Sequence, residues 1–158
     1  TFQMITQVAG RTSRSEKGGM VFLQTFLPEQ PAIQFALKQD FEGFVKEELK
    51  HRKQCLLPPF WRMTAVTLRD PIYEKLEEAA NAYKERLDFI VSQNRLKVNI
   101  RGPMPAAISR IQRFHRMQII LQAPTPQVMQ RLFSILRDYP SIRPTVKVAI
   151  DIDPVNLL

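Results

Sequence analysis

Apolar and polar residues alternate along this chain with two distinct periods. Steps of two, which are typical of half-buried strands, occur in four segments: 61–69, 96–102, 113–122 and 145–151. Steps of three and four predict two amphipathic helices over 72–94 and 127–139. In order, these elements predict a βαββαβ unit of the ferredoxin-like kind. This is an α+β fold in which both helices cover one face of a four-stranded antiparallel sheet.

Proline, glycine and small polar residues mark the ends of these elements. Asp70 and Thr125 each precede a proline at a helix start, so both are predicted to be N-caps. Gly102-Pro103 is predicted to end the second strand and to begin an irregular connection. Pro58-Pro59 marks a boundary, because tandem prolines cannot continue a helix.

The residues before that boundary predict one strand and one helix. Residues 20–26, "MVFLQTF", are rich in β-forming side chains and lie between a glycine pair and a proline, which predicts a strand. Over 31–52, apolar residues recur at steps of three and four, which predicts a single long helix that begins at Pro31.

Composition narrows the classes of protein to consider. The 158 residues are 44% hydrophobic, which is enough for a packed core. Cys55 is the only cysteine, so neither a disulfide framework nor a cysteine zinc site can be built from this chain alone. His51 and His115 form no metal-site pattern, and no metal is predicted. No apolar run approaches the roughly 20 residues of a membrane span, so a cytoplasmic protein with no membrane partner is expected.

The net charge of +8 lies almost entirely in the C-terminal half. Residues 95–147 contain ten lysines and arginines but a single acid, Asp138. Such a distribution favours a polyanionic partner, and nucleic acid is the commonest one. Within this half, residues 95–118 are the best candidate surface. Its candidate contacts to DNA phosphates are Lys97, Arg101, Arg110, Arg113 and Arg116.

Alternation along the third strand divides this surface between two faces of the sheet. Arg113 and His115 are predicted on one face, with Phe114 and Arg116 on the other. The alternative is that the arginine stems pack over the sheet edge and pair with the aspartates of residues 151–153.

A second basic pattern, "QVAGRTSR", occupies residues 7–14. In a helical turn, Arg11 and Arg14 would project from one side, three residues apart. Two guanidinium groups held together suit the terminal phosphate of a nucleotide, where they stabilise the charge that develops in phosphoryl transfer. The alternative is a basic helix start whose arginines are exposed to solvent.

Longer motifs resemble one family. "QVAGRTSRSEKGGMVFLQTF", then "RGPMPAAISRIQRFHRMQIIL" and the closing "VAIDIDPVNLL" resemble, in order and spacing, the C-terminal part of the primosomal protein N-prime (PriA) family of replication-restart DNA helicases. The resemblance spans residues 5–158. Family members usually have alanine-glycine where this chain has Thr12-Ser13, which implies a slightly altered helix geometry.

The resemblance implies three parts. Residues 1–30 would be the C-terminal end of a RecA-like helicase lobe, residues 31–57 a linking helix, and residues 58–158 a DNA-binding domain similar to ribosomal protein S10. The opening pattern would be motif VI of superfamily 2 helicases, whose catalytic residues here would be Gln7, Arg11 and Arg14.

By the same resemblance, the intact protein would be an ATP- and Mg²⁺-dependent 3′→5′ DNA helicase that acts at stalled forks near the nucleoid. Zinc is implied only for a region upstream of this chain. The phosphate-binding motif G-x-x-x-x-G-K-[ST] does not occur in this sequence, so this piece is expected to be inactive alone.

The resemblance also implies partners. They are forked DNA, other primosome proteins and the acidic, hydrophobic tail of single-stranded DNA-binding protein, for which Gln130 and Arg131 are candidate contacts. The alternative is a stand-alone nucleic-acid-binding or ribosomal-type module in which Arg11 and Arg14 have no nucleotide role. A P-loop and paired CxxC motifs in the reading frame upstream of Thr1 would favour the helicase.

Overall fold

The computed structural model describes residues 1–12 and 20–155. The chain forms two compact units, Thr1–Gln54 and Cys55–Leu158, called here the helical unit and the sheet unit. Among the described residues, no helix is long and apolar enough to cross a membrane. The three-part division implied by the resemblance stays a prediction.

The described part of the helical unit contains three helices: α1 (Phe2–Thr12), α2 (Pro31–Leu37) and α3 (Phe41–Gln54). The buried ring of Phe2 stacks on Phe44, with the ring centroids 4.5 Å apart. Phe35 meets the same Phe44 ring edge-on at 6.5 Å. These aromatic contacts, together with the buried Ile33 and Ala36, hold the three helices together.

The single helix predicted over 31–52 is wrong, because the chain breaks between α2 and α3. Gln39 adopts a left-handed backbone conformation, with φ of 53°. The backbone N–H of Gly43 then donates a hydrogen bond to the Asp40 carboxylate at 2.8 Å. This is the hydrogen bond that an N-cap residue makes, so Asp40 starts a new helix.

The strand predicted over residues 20–26 is also wrong. This segment has no regular secondary structure, and the side chains of Phe22 and Phe26 are exposed. A strand needs a neighbour that satisfies its backbone hydrogen-bonding groups. None of the four strands in the described part of the chain pairs with this segment.

The sheet unit contains its elements in the predicted order, which confirms the α+β fold. They are β1 (Arg62–Asp70), α4 (Tyr73–Gln93), β2 (Asn99–Ile111), β3 (Phe114–Ala123), α5 (Pro126–Arg137) and β4 (Lys147–Ile152). The strands lie in the order β2-β3-β1-β4, and each neighbouring pair is antiparallel. This is the arrangement of a split βαβ fold.

One face of the sheet is covered by α4 and α5. Val66 and Leu68 of β1 lie opposite Ile119 and Met117 of β3. All four belong to a hydrophobic core that the two helices complete with residues including Leu76, Leu87, Ile90, Met129 and Leu132. Because side chains alternate across a strand, the residues between these core positions project from the opposite face.

Strand β2 is longer than predicted. It continues through Gly102-Pro103 to Ile111, where an irregular connection was expected. Two shifts in the register with β3, between residues 101 and 104 and between residues 105 and 110, accommodate the prolines while pairing continues. The prediction failed because a proline at a bulge does not end a strand.

The two predicted helix caps have different outcomes. Asp70 ends β1 instead of capping α4, and its carboxylate accepts a hydrogen bond from the Ile72 backbone N–H at 2.8 Å. Ile72 itself occupies the N-cap position, so the prediction for Asp70 is wrong by two residues. Thr125 is the N-cap of α5 as predicted, but its side chain makes no capping hydrogen bond.

Candidate nucleic-acid interface

A row of three cations crosses β4, β1 and β3. Lys147 lies opposite Arg69, and Arg69 in turn lies opposite Arg116. Register partners project to the same side of a sheet, here the face away from the helices, and neighbouring strands are about 4.8 Å apart. Like charges placed opposite one another destabilise a sheet. An anionic ligand would remove this cost.

Phe114 lies on the same face, two residues before Arg116. The Arg69 and Arg113 guanidinium carbons are 5.7 Å and 5.5 Å from the centroid of its ring, and the Lys147 ammonium nitrogen is 5.9 Å away. These are cation–π distances. The half-buried Phe114 lies outside the hydrophobic core. These five residues, Arg69, Arg113, Phe114, Arg116 and Lys147, are called the Phe114 cluster.

Arg113 reaches the cluster from the turn between β2 and β3. The preceding residue, Gln112, has a left-handed backbone with φ of 54°, and β3 begins only at Phe114. Because Arg113 is in a turn, its guanidinium group folds over the ring of the next residue. The prediction that strand alternation separates Arg113 from Phe114 is therefore wrong.

Three cations of the cluster carry positive charge that no carboxylate of the described residues neutralises. In that part of the chain, no carboxylate forms an ion pair with Arg69, Arg113 or Lys147. Asp153 pairs instead with Arg62, with nitrogen and oxygen 3.2 Å apart. For Asp153, the alternative of pairing with an arginine of residues 95–118 is therefore wrong, and for Asp151 it stays a prediction.

The predicted contacts Arg110 and Arg116 lie near the β2–β3 turn. The Arg116 guanidinium donates a hydrogen bond to the Ile108 carbonyl at 3.3 Å, which ties β3 to the irregular part of β2. Arg110 is exposed near the end of β2, opposite His115. The His115 ring packs edge-on against Tyr73 at 5.6 Å, so it has a packing role.

The predicted contacts Arg101 and Lys97 lie towards the other end of the sheet. Arg101 is exposed on β2, opposite Ile120. Ile120 is six residues along β3 from Phe114, which corresponds to about 20 Å. The Lys97 ammonium lies 5.7 Å from the Trp61 ring centroid. The structure therefore does not bring these two cations to the Phe114 cluster.

Sequence reasoning missed Arg69 and Lys147 as members of the cluster. They are far apart in the chain, and they meet only because β1 pairs with both β3 and β4. The available signal was their position in the alternation, because each is one residue from a core-face position: Arg69 near the C-terminal end of β1 and Lys147 at the N-terminal end of β4. Using that signal requires the strand register, which the sequence pattern does not determine.

A groove of about 650 Å³ runs along α5 and β4. Apolar side chains form much of its wall, including Met129, Phe133, Ile150 and Ile152. The predicted contact Gln130 lines the groove, whereas Arg131 does not. Arg137 also lines it, and this arginine forms no ion pair with a carboxylate of the described residues.

Tyr83 of α4 closes one side of this groove. Burial raises the pKa of the Tyr83 hydroxyl above its ordinary value, and the nearby Arg86 charge opposes that rise. The hydroxyl is therefore neutral at physiological pH. Arg137 and the Arg62–Asp153 ion pair supply the charged groups of the groove.

The predicted nucleotide residues lie on or after α1. Gln7 and Arg11 are both exposed and are four residues apart, so they share one face of the helix. Arg14 lies outside the described residues, and its predicted pairing with Arg11 stays a prediction. In the described part of the chain, no three His, Cys, Asp or Glu residues cluster as metal ligands would.

Comparison with known sequences gives a consistent set of similarities. The family described as "Primosomal protein N C-terminal domain" matches residues 53–155. The chain is 34% identical to "Replication restart protein PriA" of Treponema pallidum, over all of the chain and 24% of that protein. The proteins of the same name from Bacillus subtilis and Haemophilus influenzae are 30% and 33% identical, over 100% and 98% of the chain. The chain spans 20% and 21% of their lengths.

Proposed function

The chain belongs to the primosomal protein N C-terminal domain family, and we propose that it is the C-terminal, DNA-binding part of a helicase for replication restart. The intact protein would recognise stalled forks, separate strands in the 3′→5′ direction with ATP, and promote primosome assembly on the chromosome in the cytoplasm. The observation that carries the DNA-binding role is the Phe114 cluster, in which Arg69, Arg113 and Lys147 form no ion pair with a carboxylate of the described residues.

Binding at this cluster would depend on phosphate and not on base sequence. Lysine and arginine side chains that contact phosphates release condensed counterions, so affinity falls steeply with salt. Such contacts fix the position of a protein on DNA without reading its sequence. An enzyme that acts wherever a fork stalls needs this kind of recognition.

The double substitution Arg113→Ala plus Arg116→Ala should weaken binding of the chain to forked DNA about tenfold or more. It should also reduce the slope of log affinity against log salt by about 2, because each lost phosphate contact removes about one unit. Fluorescence anisotropy with a labelled fork at several salt concentrations measures both quantities.

The matched control for this experiment is Lys75→Ala plus Arg131→Ala. It removes the same charge from exposed positions on α4 and α5, which cover the opposite face of the sheet. We expect the control to leave the slope nearly unchanged. If the two double variants lose affinity for forked DNA equally, binding depends only on the net charge of the chain. That result would remove the Phe114 cluster from the proposal.

The nucleotide role of α1 is a separate part of the proposal. Gln7 and Arg11 share an exposed face of one helix, so both side chains could reach the same phosphate group of ATP bound by the intact protein. ATP with Mg²⁺ would supply the free energy for strand separation. Arg11 would stabilise negative charge on the transferred phosphoryl group, with Arg14 as the predicted second cation.

We also propose that the groove along α5 and β4 binds the tail of single-stranded DNA-binding protein. An acidic, hydrophobic peptide matches a groove with apolar walls and an arginine, Arg137, that has no carboxylate partner in the described chain. The amide of Gln130 could bond the peptide backbone. Other primosome proteins would bind elsewhere on the intact protein.

Arg137→Glu should weaken binding of a synthetic tail peptide at least tenfold, because it replaces an attractive charge with a repulsive one inside the groove. Arg131→Glu makes the same charge change on the same helix but outside the groove, and should stay within about twofold of the unchanged chain. Isothermal titration calorimetry measures both. A larger effect at Arg131 would place the tail on the outer face of α5.

A further inference from the structure

The side chains around Phe114 match a ligand that has more than a phosphate group. A surface that only neutralises DNA phosphates needs cations, and a half-buried aromatic ring outside the core adds nothing to that task. In this sheet, Arg69, Arg113 and Lys147 converge on a single ring that does not belong to the core. A ligand that satisfies all of these groups must carry both negative charge and a flat π surface. A nucleotide with an unstacked base has both.

We infer that Phe114 is a stacking site for an unpaired DNA base, whose flanking phosphates are held by Arg69, Arg113 and Lys147. The inference rests on the DNA binding proposed above and specifies its substrate as single-stranded DNA. A base inside a duplex is stacked on its neighbours and cannot offer its face to a side chain. The cluster would therefore favour the unpaired strand at a fork over the duplex arms.

The position of the ring supports this ligand. Phe114 begins β3, one of the two central strands, on the face that the helices leave uncovered. Arg69 and Lys147 lie on the two strands beyond it, so a nucleic-acid strand crossing the sheet would meet the ring and then the cations in turn. Arg113 approaches from the turn and can cover a bound base, since guanidinium groups also stack on bases.

The contribution of base stacking to affinity can be measured separately from that of charge. The experiment uses two labelled single strands of about 12 nucleotides, a length typical of such sites. One carries thymine at every position, and the other has the same phosphates but only abasic sugars. We expect the chain to bind the thymine strand about tenfold more tightly. Phe114→Leu should reduce this preference to within about twofold while leaving the salt dependence unchanged.

Two further variants control the experiment. Phe114→Tyr keeps the aromatic face and should keep the preference for the thymine strand. Phe89→Leu makes the same change as Phe114→Leu at an exposed position on α4, and should also keep it.

Each remaining outcome has one interpretation. Equal, salt-dependent binding of the two strands by the unchanged chain would overturn the stacking inference and leave the proposed DNA-binding function intact. Binding of neither strand would also overturn the stacking inference, and failure to bind the labelled fork as well would contradict the proposed function itself. If Phe114→Leu weakens both strands equally and also lowers the salt slope, the ring only orders the cations, and the stacking inference is wrong.

Discussion

Replacing Leu87 with alanine is expected to destabilise the sheet unit by about 2–5 kcal/mol. Leu87 is fully buried on α4 and belongs to the core beneath the sheet. Truncation removes buried apolar surface and leaves a cavity that a close-packed interior closes only in part. A loss of this size is a large fraction of the stability of a domain of about 100 residues.

Chemical denaturation followed by tryptophan fluorescence measures this loss, because the only tryptophan of the chain, Trp61, lies in the sheet unit. Phe89→Ala is the matched control. It truncates a larger side chain two residues away on the same helix, but Phe89 is 54% exposed. We expect it to cost less than about 1 kcal/mol. Similar losses in both variants would mean that α4 does not pack against the sheet by the face described.

Gly102→Ala is expected to cost about 2–3 kcal/mol. Gly102 has φ of 100°, a conformation that residues with a side chain rarely adopt. An added Cβ would lie 2.7 Å from the carbonyl oxygen of Gln118, on the central strand β3. Because that oxygen belongs to the backbone of a paired strand, it cannot move away cheaply.

The same fluorescence measurement tests this prediction, with Gly10→Ala as the control. Among the described residues, no atom lies within 4 Å of a Cβ built on Gly10, which is in α1. Alanine there should favour the helix slightly and leave the unfolding of the sheet unit unchanged. If Gly102→Ala unfolds like the unchanged chain, the close approach of β2 to β3 at this position would be wrong.

The elements of the sheet unit could be predicted because, in each segment, the apolar periodicity and the residues at its ends indicate the same secondary structure. In β3, the core residues Met117, Ile119 and Leu121 alternate with other side chains, which is possible only in a strand. The elements predicted incorrectly carry weaker or competing signals. Across α2 and α3, the apolar period continued through a break that depends on two residues, Gln39 and Asp40. In β2, the prolines concealed a paired strand.

The candidate site was predictable only in part, for a reason that applies to sheets in general. The segment containing Arg113, Phe114 and Arg116 is compact in sequence, so its basic and aromatic character is visible before folding. Arg69 and Lys147 join it through pairing between strands that are far apart along the chain. A slip of one residue would move either side chain to the other face. Sequence pattern therefore gives the centre of the cluster but not its extent.

The edge position of β4 affects how readily this domain aggregates. An edge strand presents unpaired backbone groups that can template pairing with another chain, and here Val148, Ile150 and Ile152 are all partly exposed along it. Lys147 and Asp151 are the charged residues of this strand, and charge on an edge opposes intermolecular pairing. We therefore expect the charge of Lys147 also to oppose aggregation through this edge. Ligand-binding data from a variant that lacks its charge are meaningful only where light scattering shows the protein to be monodisperse.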